Sequence, residues 1–448
     1  MDKMNRREFL QRSGSAALGL GAAGLLLDAC KGKGNVASAA PERERGMEYR
    51  INPANGDKVS LLGYGCMRWP MIKDASGNEV IDQETVNALV DAAMAAGINY
   101  YDTSPRYLQG QSEKAAGIAL SRYPRDSYYI ATKLSNFGDN SAEASMAMYR
   151  ESFKQLRTEY FDYYLLHSIG GGGLEQYRKR YVENGMTEFL LKEKEAGRIR
   201  NFGFSFHGNR QAFDDFMALH DSGEMHWDFC QIEMNYVDWT HADGIWNVNA
   251  DYLYAELDKR EIPIMVMEPL LGGRLADVPR NVAEQLKTRE PDKSVASWAF
   301  RFVGSYPWIL CILSGMTSME PLQDNIGTFS AFKPLDDEEL AFMEEMARLI
   351  KEYPMVNCTN CKYCMPCPFG IDIPGIFQAY NKAVTDGTYK KAKQFLKGYN
   401  AAVPALRQAD HCIGCGQCKV HCPQSIHIPE ELHRIDEMTE KLKRESYV

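Results

Sequence analysis

Tyr128-Tyr129-Ile130-Ala131-Thr132-Lys133, an amphipathic run over residues 143–156, and Asp162-Tyr163-Tyr164-Leu165-Leu166-His167 read as one strand–helix–strand unit. The unit repeats outward in both directions. Short apolar stretches at 61–67 and 100–103 precede it, and others at 201–206, 229–235, 262–269 and 309–314 follow. Between them lie helical patterns, at 84–96, 189–197, 211–219, 250–260, 295–303 and 321–329. Eight strands, each followed by a helix, over about 270 residues predict an α/β fold, a (β/α)8 barrel of the TIM type. Residues 49–59, with Asn55-Gly56 at the tip, predict a hairpin ahead of the first barrel strand. Residues 336–353 form a further acidic amphipathic helix that leads out of the array.

The bulk numbers suit that fold. The chain has 448 residues, 45% hydrophobic and 25% charged, as in a soluble globular protein of two domains or one large domain with an appendage. A net charge of −9 excludes nucleic acid as a partner and offers no basic surface to anionic lipid. Beyond the N-terminus no apolar run reaches the length of a membrane span. The expected domains are an export signal and tether at 1–47, the barrel at 48–353 and a ferredoxin-like domain at 354–448.

Eight of the twelve cysteines fall in that last segment, in two runs. Cys358, Cys361, Cys364 and Cys367 precede Pro368; Cys412, Cys415, Cys418 and Cys422 precede Pro423. The second run has the bacterial ferredoxin spacing for a 4Fe–4S cluster, and the first is one residue shorter at its last step. Three thiolates at every third position wrap one cubane, and the fourth of each run ligates the other cluster. Cys358, Cys361, Cys364 and Cys422 are therefore assigned to one 4Fe–4S cluster, and Cys412, Cys415, Cys418 and Cys367 to a second. Zinc needs only four ligands in pairs, which eight evenly stepped cysteines over-supply. Helical patterns at 376–385 and 390–400, and the parallel segments Ile371-Asp372-Ile373-Pro374 and Ile426-His427-Ile428-Pro429, predict an α-helical module with a weak internal repeat. Cys66, Cys230 and Cys311 sit in separate apolar strands and read as buried small hydrophobes.

At the N-terminus, Asn5-Arg6-Arg7-Glu8-Phe9-Leu10 precedes a short Gly/Ala-rich apolar stretch. It resembles a twin-arginine export signal, the route by which a protein loaded with clusters leaves the cytosol already folded. Export to the periplasm is expected. Ala37-Ser38-Ala39 is a candidate cleavage site, and Leu27-Asp28-Ala29-Cys30 resembles a lipoprotein box that would anchor the chain to the membrane through Cys30.

Barrel chemistry sits where the strands end, and four residues fall there in succession: Asp102 and Tyr107 after strand two, Lys133 at the end of strand three, His167 at the end of strand four. The residues that carry them, DTSPRY (102–107) with Ser112-Glu113, ATK (131–133) and YYLLH (163–167), resemble the aldo-keto reductase family. So does SGMTSMEPLQDNI (314–326). The cysteine tail resembles ferredoxin-type domains carried by one branch of that family. A carbonyl that accepts hydride gathers negative charge on oxygen and needs an acid at neutral pH. Tyr107 is the candidate; Lys133 is expected to lower its pKa, Asp102 to hold Lys133, and His167 to orient the substrate oxygen. The resemblance implies reversible carbonyl/alcohol interconversion with NADP(H) or NAD(H), on a small carbonyl or alcohol substrate. It places Ser205, Gln231 and Met267 at the nicotinamide, and Gly315, Met316 and Asn325 at the adenosine phosphate region. Gly170–Gly173 is expected to form a flexible substrate loop, and Arg106 to offer a cation at the site mouth. The alternative is an exported redox enzyme fed through its clusters by a redox partner protein, without free nicotinamide.

Overall fold

In the computed structural model, which describes residues 46–242 and 247–446, eight parallel strands close on themselves. They are Leu62–Gly65, Tyr100–Asp102, Tyr129–Leu134, Phe161–Gly170, Ile199–His207, Phe229–Glu233, Ile264–Met267 and Ile309–Ser314. Each pairs with its neighbour in chain order, and the last returns to the first with Ile312 opposite Leu62. With its surrounding helices this is the (β/α)8 barrel that the alternation predicts. Helix starts follow local chemistry. Asp82 accepts from Thr85 N at 3.1 Å to open Gln83–Ala95, and Ser141 caps Ala142–Leu156 through Ala144 N. Asp336 and Glu339 form a reciprocal capping box at the start of Asp337–Lys351.

The hairpin Tyr49–Ile51 with Lys58–Ser60 turns at Gly56, whose φ of 82° suits glycine. It presses Val59 into a cluster with Tyr100, Tyr163 and Phe229 that fills the N-terminal end of the barrel. The opposite end is left for chemistry. A second hairpin, Met71–Lys73 with Glu79–Ile81, was not expected; its strands are three residues long and largely exposed, so no apolar alternation marks them. The first glycine of the run expected as a flexible substrate loop belongs to a strand instead. Gly170 ends the fourth strand, paired with His207, where a Cβ would lie 2.5 Å from the Phe206 ring. Close packing, not freedom of movement, puts glycine there. The three strand cysteines are buried, as expected of small hydrophobes.

Glu113 sits under the third strand, 2% exposed, and accepts from Thr132 Oγ1 at 2.5 Å. Burial pushes its carboxyl up to about 7 against the pull of the Thr132 and Ser152 hydroxyls. The folded chain therefore holds a proton there that the unfolded chain releases near pH 4.3. The stability this contributes is full below that pH and is lost as pH rises through 7. Glu113→Gln is expected to leave stability near wild type at pH 5 and to raise it by about 3 kcal/mol at pH 8. Denaturant unfolding at the two pH values measures the difference, and an equal effect at both would contradict the assignment.

The tail has its own core, with Ile376, Phe377, Tyr380, Phe395, Leu432 and Ile435 buried between helices Ile373–Thr385, Ala392–Ala402 and Ile428–Ser446. Each Ile-x-Ile-Pro segment opens a helix, and in the first copy Asp372 caps it through Gly375 N at 3.2 Å. Arg274 Nη1 donates to Asn357 Oδ1 at 2.9 Å and Gln424 Nε2 to Glu233 Oε1 at 2.7 Å, which ties tail to barrel. Among the described residues no helix is long and apolar enough to cross a membrane. Arg6, Arg7 and Cys30, on which export and anchoring rest, lie outside the described residues.

Candidate active site

The strand ends bring the four predicted residues to one cavity of about 190 Å³ at the C-terminal mouth of the barrel. Lys133 Nζ, fully buried, donates to Asp102 Oδ1 at 2.6 Å and to Thr103 O at 2.9 Å. The ammonium lies 5.1 Å from the centre of the Tyr107 ring, and that ring meets His167 edge to face at 6.0 Å. Tyr107 opens a tight turn in which Leu108 and Gln109 both take positive φ, 50° and 56°. That backbone turns the chain sharply after the strand and holds the phenol over the mouth.

The expected lowering of the Tyr107 pKa is not found. Lys133 Nζ donates to Asp102 and Thr103 O, and among the described residues no hydrogen bond joins the ammonium to the Tyr107 hydroxyl. Burial, and after it the Asp102 charge, push the phenol well above its ordinary value. Tyr107 is thus protonated through neutral pH, the form an acid needs. Burial works against both members of the ion pair, raising Asp102 and lowering Lys133, while their contact opposes it on each side. His167 is pushed well below its ordinary value by burial and by the Lys133 charge, so its ring is neutral. Its Nδ1 meets Ser135 Oγ at 2.6 Å and Ser104 Oγ at 3.3 Å. With Ser135 donating, the ring proton rests on Nε2. Arg180 Nη2 and Tyr181 OH bind His167 O at 2.9 and 3.2 Å and fix the strand end. Ser104 and Ser135 were missed in the sequence, although each stands two residues beyond a candidate strand-end residue, Asp102 or Lys133.

The facing wall carries Ser205, Gln231, Met267 and Gly315, four of the six residues placed at the dinucleotide. Gln231 Nε2 reaches Met267 Sδ at 3.5 Å, while its Oε1 is buried with no partner. An orphaned acceptor there fits a carboxamide N–H donor, so this wall suits a nicotinamide. Ser205 Oγ accepts from Ser168 N at 2.8 Å. Met316 and Asn325 lie behind the wall instead: Met316 is 1% exposed and its carbonyl accepts from Tyr64 OH, and Asn325 Nδ2 donates to Ser314 Oγ at 3.0 Å. Those contacts brace the last strand and set both residues outside the lining of the catalytic-residue cavity. Arg106 borders the second cysteine group, beside Tyr363 and against the Phe137 ring at 6.0 Å, and its charge still bears on His167.

Two further barrel residues on the wall, His207 and Glu233, escaped the sequence reading, and both adjoin Glu268 or its neighbours there. Glu268 follows the seventh strand at φ 55°, and burial and then Glu233 push its carboxyl up to about 7. His207 Nδ1 lies 3.2 Å from Glu233 Oε1. The roof was missed altogether, because it comes from the tail: Thr359, Cys361, Tyr363 and Pro423 close the cavity opposite the strand ends. Gly272, at φ 68°, lets the loop after the seventh strand press on it; a Cβ there would lie 2.5 Å from Thr359 Cα. Arg68 donates to Thr359 O beside it.

The eight tail cysteines line two cavities. Cys358, Cys361, Cys364 and Cys422 line one cavity. Cys367, Cys412, Cys415 and Cys418 line another, with Cys364 on the shared wall. No carboxylate lines either, so each offers a soft sulfur donor set in apolar surroundings, which fits an iron–sulfur cluster. Burial pushes the Cys358 and Cys422 thiols up to about 11. Cys361 lines both the first of these cavities and the catalytic one.

Comparison with known proteins agrees with this geometry. The aldo/keto reductase family model matches residues 61–348, and the 4Fe-4S dicluster domain model matches residues 357–427. The chain is similar to L-galactose dehydrogenase of Arabidopsis thaliana, 25% identical over 330 residues that cover 68% of this chain and 96% of the other. It is also similar to an uncharacterized oxidoreductase, YqkF, of Bacillus subtilis, 22% identical over 64% of this chain and 92% of the other. Among solved structures, the holo form of aldo-keto reductase AKR11C1 from Bacillus halodurans aligns with a TM-score of 0.53 at 20% identity, over 67% of this chain and 96% of that one. An aldo/keto reductase from Klebsiella pneumoniae in complex with NADP and acetate aligns at 0.52 and 22% identity, over 67% and 94%. At these identities the two structures share the fold.

Proposed function

The chain belongs to the aldo/keto reductase family, and on that premise we propose that it interconverts a carbonyl and an alcohol, with Tyr107 delivering and retrieving the proton. The observation that carries this reading is the joint burial of a protonated phenol, a neutral imidazole and an ion pair on one cavity wall. The substrate oxygen would sit between Tyr107 OH and His167 Nε2. As that oxygen gains charge, the phenol proton moves to it and the Lys133 ammonium stabilises the phenolate left behind. Asp102 holds Lys133 so that the charge is already in place. Bound at the facing wall, a nicotinamide of NADPH or NADH would supply the hydride, with Gln231 and Ser205 at its carboxamide, Met267 on the ring and Gly315 beside the remainder. The named activity of the Arabidopsis relative makes a small hydroxylated carbonyl a suitable substrate class.

The two cysteine groups would each hold a 4Fe–4S cluster, with the ligand sets given above. One observation favours a second reading, in which electrons come from a partner protein through the tail: Cys361 stands on the catalytic cavity itself. Reduction by single electrons needs two protons rather than one, and Tyr107 and Glu268 both face that cavity. The export signal and Cys30 anchor extend the proposal to a periplasmic enzyme that carries its cofactors out in folded form.

Anaerobically prepared, iron-loaded protein titrated with NADPH and with NADH separates the readings. The expected result is tight nucleotide binding with no bleaching of the visible iron–sulfur band, and undiminished NADPH-driven turnover in Cys415→Ser. Bleaching on binding would join the two centres. Failure of either nucleotide to bind would sink the nicotinamide reading and leave the partner-fed one.

A further inference from the structure

Tyr363 and Thr359 come from the cysteine-rich tail, yet both face the cavity that holds Tyr107. Thr359 is 1% exposed and its Oγ1 has no hydrogen-bond partner among the described residues. Its backbone is held firmly, by Arg68 donating to its carbonyl and by the Gly272 backbone packed against it. The hydroxyl is therefore placed rather than stray. The Tyr363 ring stands edge-on to His167 at 6.4 Å and beside Phe137 at 6.4 Å. No hydrogen bond joins its hydroxyl to the protein among the described residues. Across from them, the Glu268 carboxylate accepts from the Gly272 backbone and otherwise faces the cavity. Of the other orphaned acceptors, Gln231 Oε1 is taken by the carboxamide in the reading above, and Asp102 Oδ2 belongs to the Lys133 ion pair.

We propose that Thr359 and Tyr363 are specificity residues, which with Glu268 bind hydroxyl groups next to the carbonyl held by Tyr107 and His167. The inference rests on the carbonyl/alcohol reading and deepens it. The tail then supplies part of the substrate site, whatever else its cysteines do. An apolar carbonyl would bury the Thr359 hydroxyl with no partner and leave the Glu268 carboxylate only the Gly272 N–H, and a site built to pair hydroxyls rejects ligands that lack them. A hydroxylated carbonyl or polyol satisfies all three groups. The arrangement also explains why the loop after the seventh strand is clamped to the tail. If that loop swung free, Glu268 and Thr359 would separate, and no hydroxyl would bridge them.

The test uses the iron-loaded full chain and needs no turnover. Calorimetry measures binding of glycerol, xylitol and sorbitol against 1-propanol, 1-pentanol and 1-hexanol. The wild type is expected to bind at least one polyol about a hundredfold tighter than the alcohol of equal length. Thr359→Val and Tyr363→Phe are each expected to cut that preference about tenfold, with iron content and visible absorbance unchanged. Where turnover is available, both variants should raise KM for glyceraldehyde with kcat held, and leave propanal alone. Equal binding of polyol and alcohol by the wild type, or a preference untouched in both variants, would overturn the proposal. An equal loss for polyols and alcohols would reduce the two residues to packing and overturn it as well. A wild type that shows the polyol preference, lost in the variants, yet turns over no carbonyl would instead count against the catalytic reading, so the two failures are told apart.

Discussion

Tyr107→Phe is expected to lower kcat for carbonyl reduction by about a thousandfold while leaving KM, iron content and unfolding midpoint near wild type. The phenol oxygen faces the cavity, and the ring does the packing through its contacts with Lys133 and His167. Phenylalanine keeps the ring and removes only the proton. The residual rate would come from His167 Nε2 and from bound geometry. The pH profile gives an independent check. Since burial and the Asp102 charge hold the phenol well above its ordinary value, the acid is in its active form from acidic through neutral pH. Wild-type kcat should therefore show no fall assignable to this group until well above pH 10, the ordinary tyrosine value. A loss of kcat already at pH 8 that disappears in Tyr107→Phe would mean the phenol titrates low, as the sequence alone suggested. Turnover of the variant within tenfold of wild type would remove Tyr107 from the chemistry.

The contrast between the two views of Tyr107 shows what a sequence carries. Order and spacing along the chain were legible, because apolar strands alternate with amphipathic helices and each strand brings its last residue to the same rim. That placed Asp102, Tyr107, Lys133 and His167 together, and the cysteine spacing grouped the thiols. Orientation was not legible. Whether the Lys133 ammonium bonds the phenol oxygen depends on Asp102 and Thr103 O lying 2.6 and 2.9 Å away, which no local pattern encodes. The roof was invisible for a different reason. Thr359 and Tyr363 lie more than two hundred residues beyond Tyr107, and they look like spacers within a cysteine run. Only docking of the tail, through Arg68, Asn357 and Gln424, turns them into cavity wall.

The second large effect concerns the ion pair under the site. Lys133→Met is expected to destabilise the folded chain by about 3–5 kcal/mol and to abolish turnover. Neither side chain reaches water: Lys133 is 0% and Asp102 3% exposed, and Asp102 Oδ2 already lacks a partner. Removing the ammonium leaves a buried carboxylate with nothing to balance it, so Asp102 takes up a proton. In the variant its folded pKa lies further above the unfolded value near 3.9. The stability tied to that proton is full below pH 4 and lost as pH rises through the raised value. The deficit against wild type should thus be smaller at pH 5 than at pH 8, as denaturant unfolding would read it. Asp102→Leu combined with Lys133→Met removes both charges, and is expected to recover most of the stability while remaining inactive. That outcome would show the pair is kept for the charge it places against Tyr107 and not for the fold. A double variant no more stable than Lys133→Met would mean the pair is structural first, and the barrel mouth would then depend on it in a way the catalytic reading does not require.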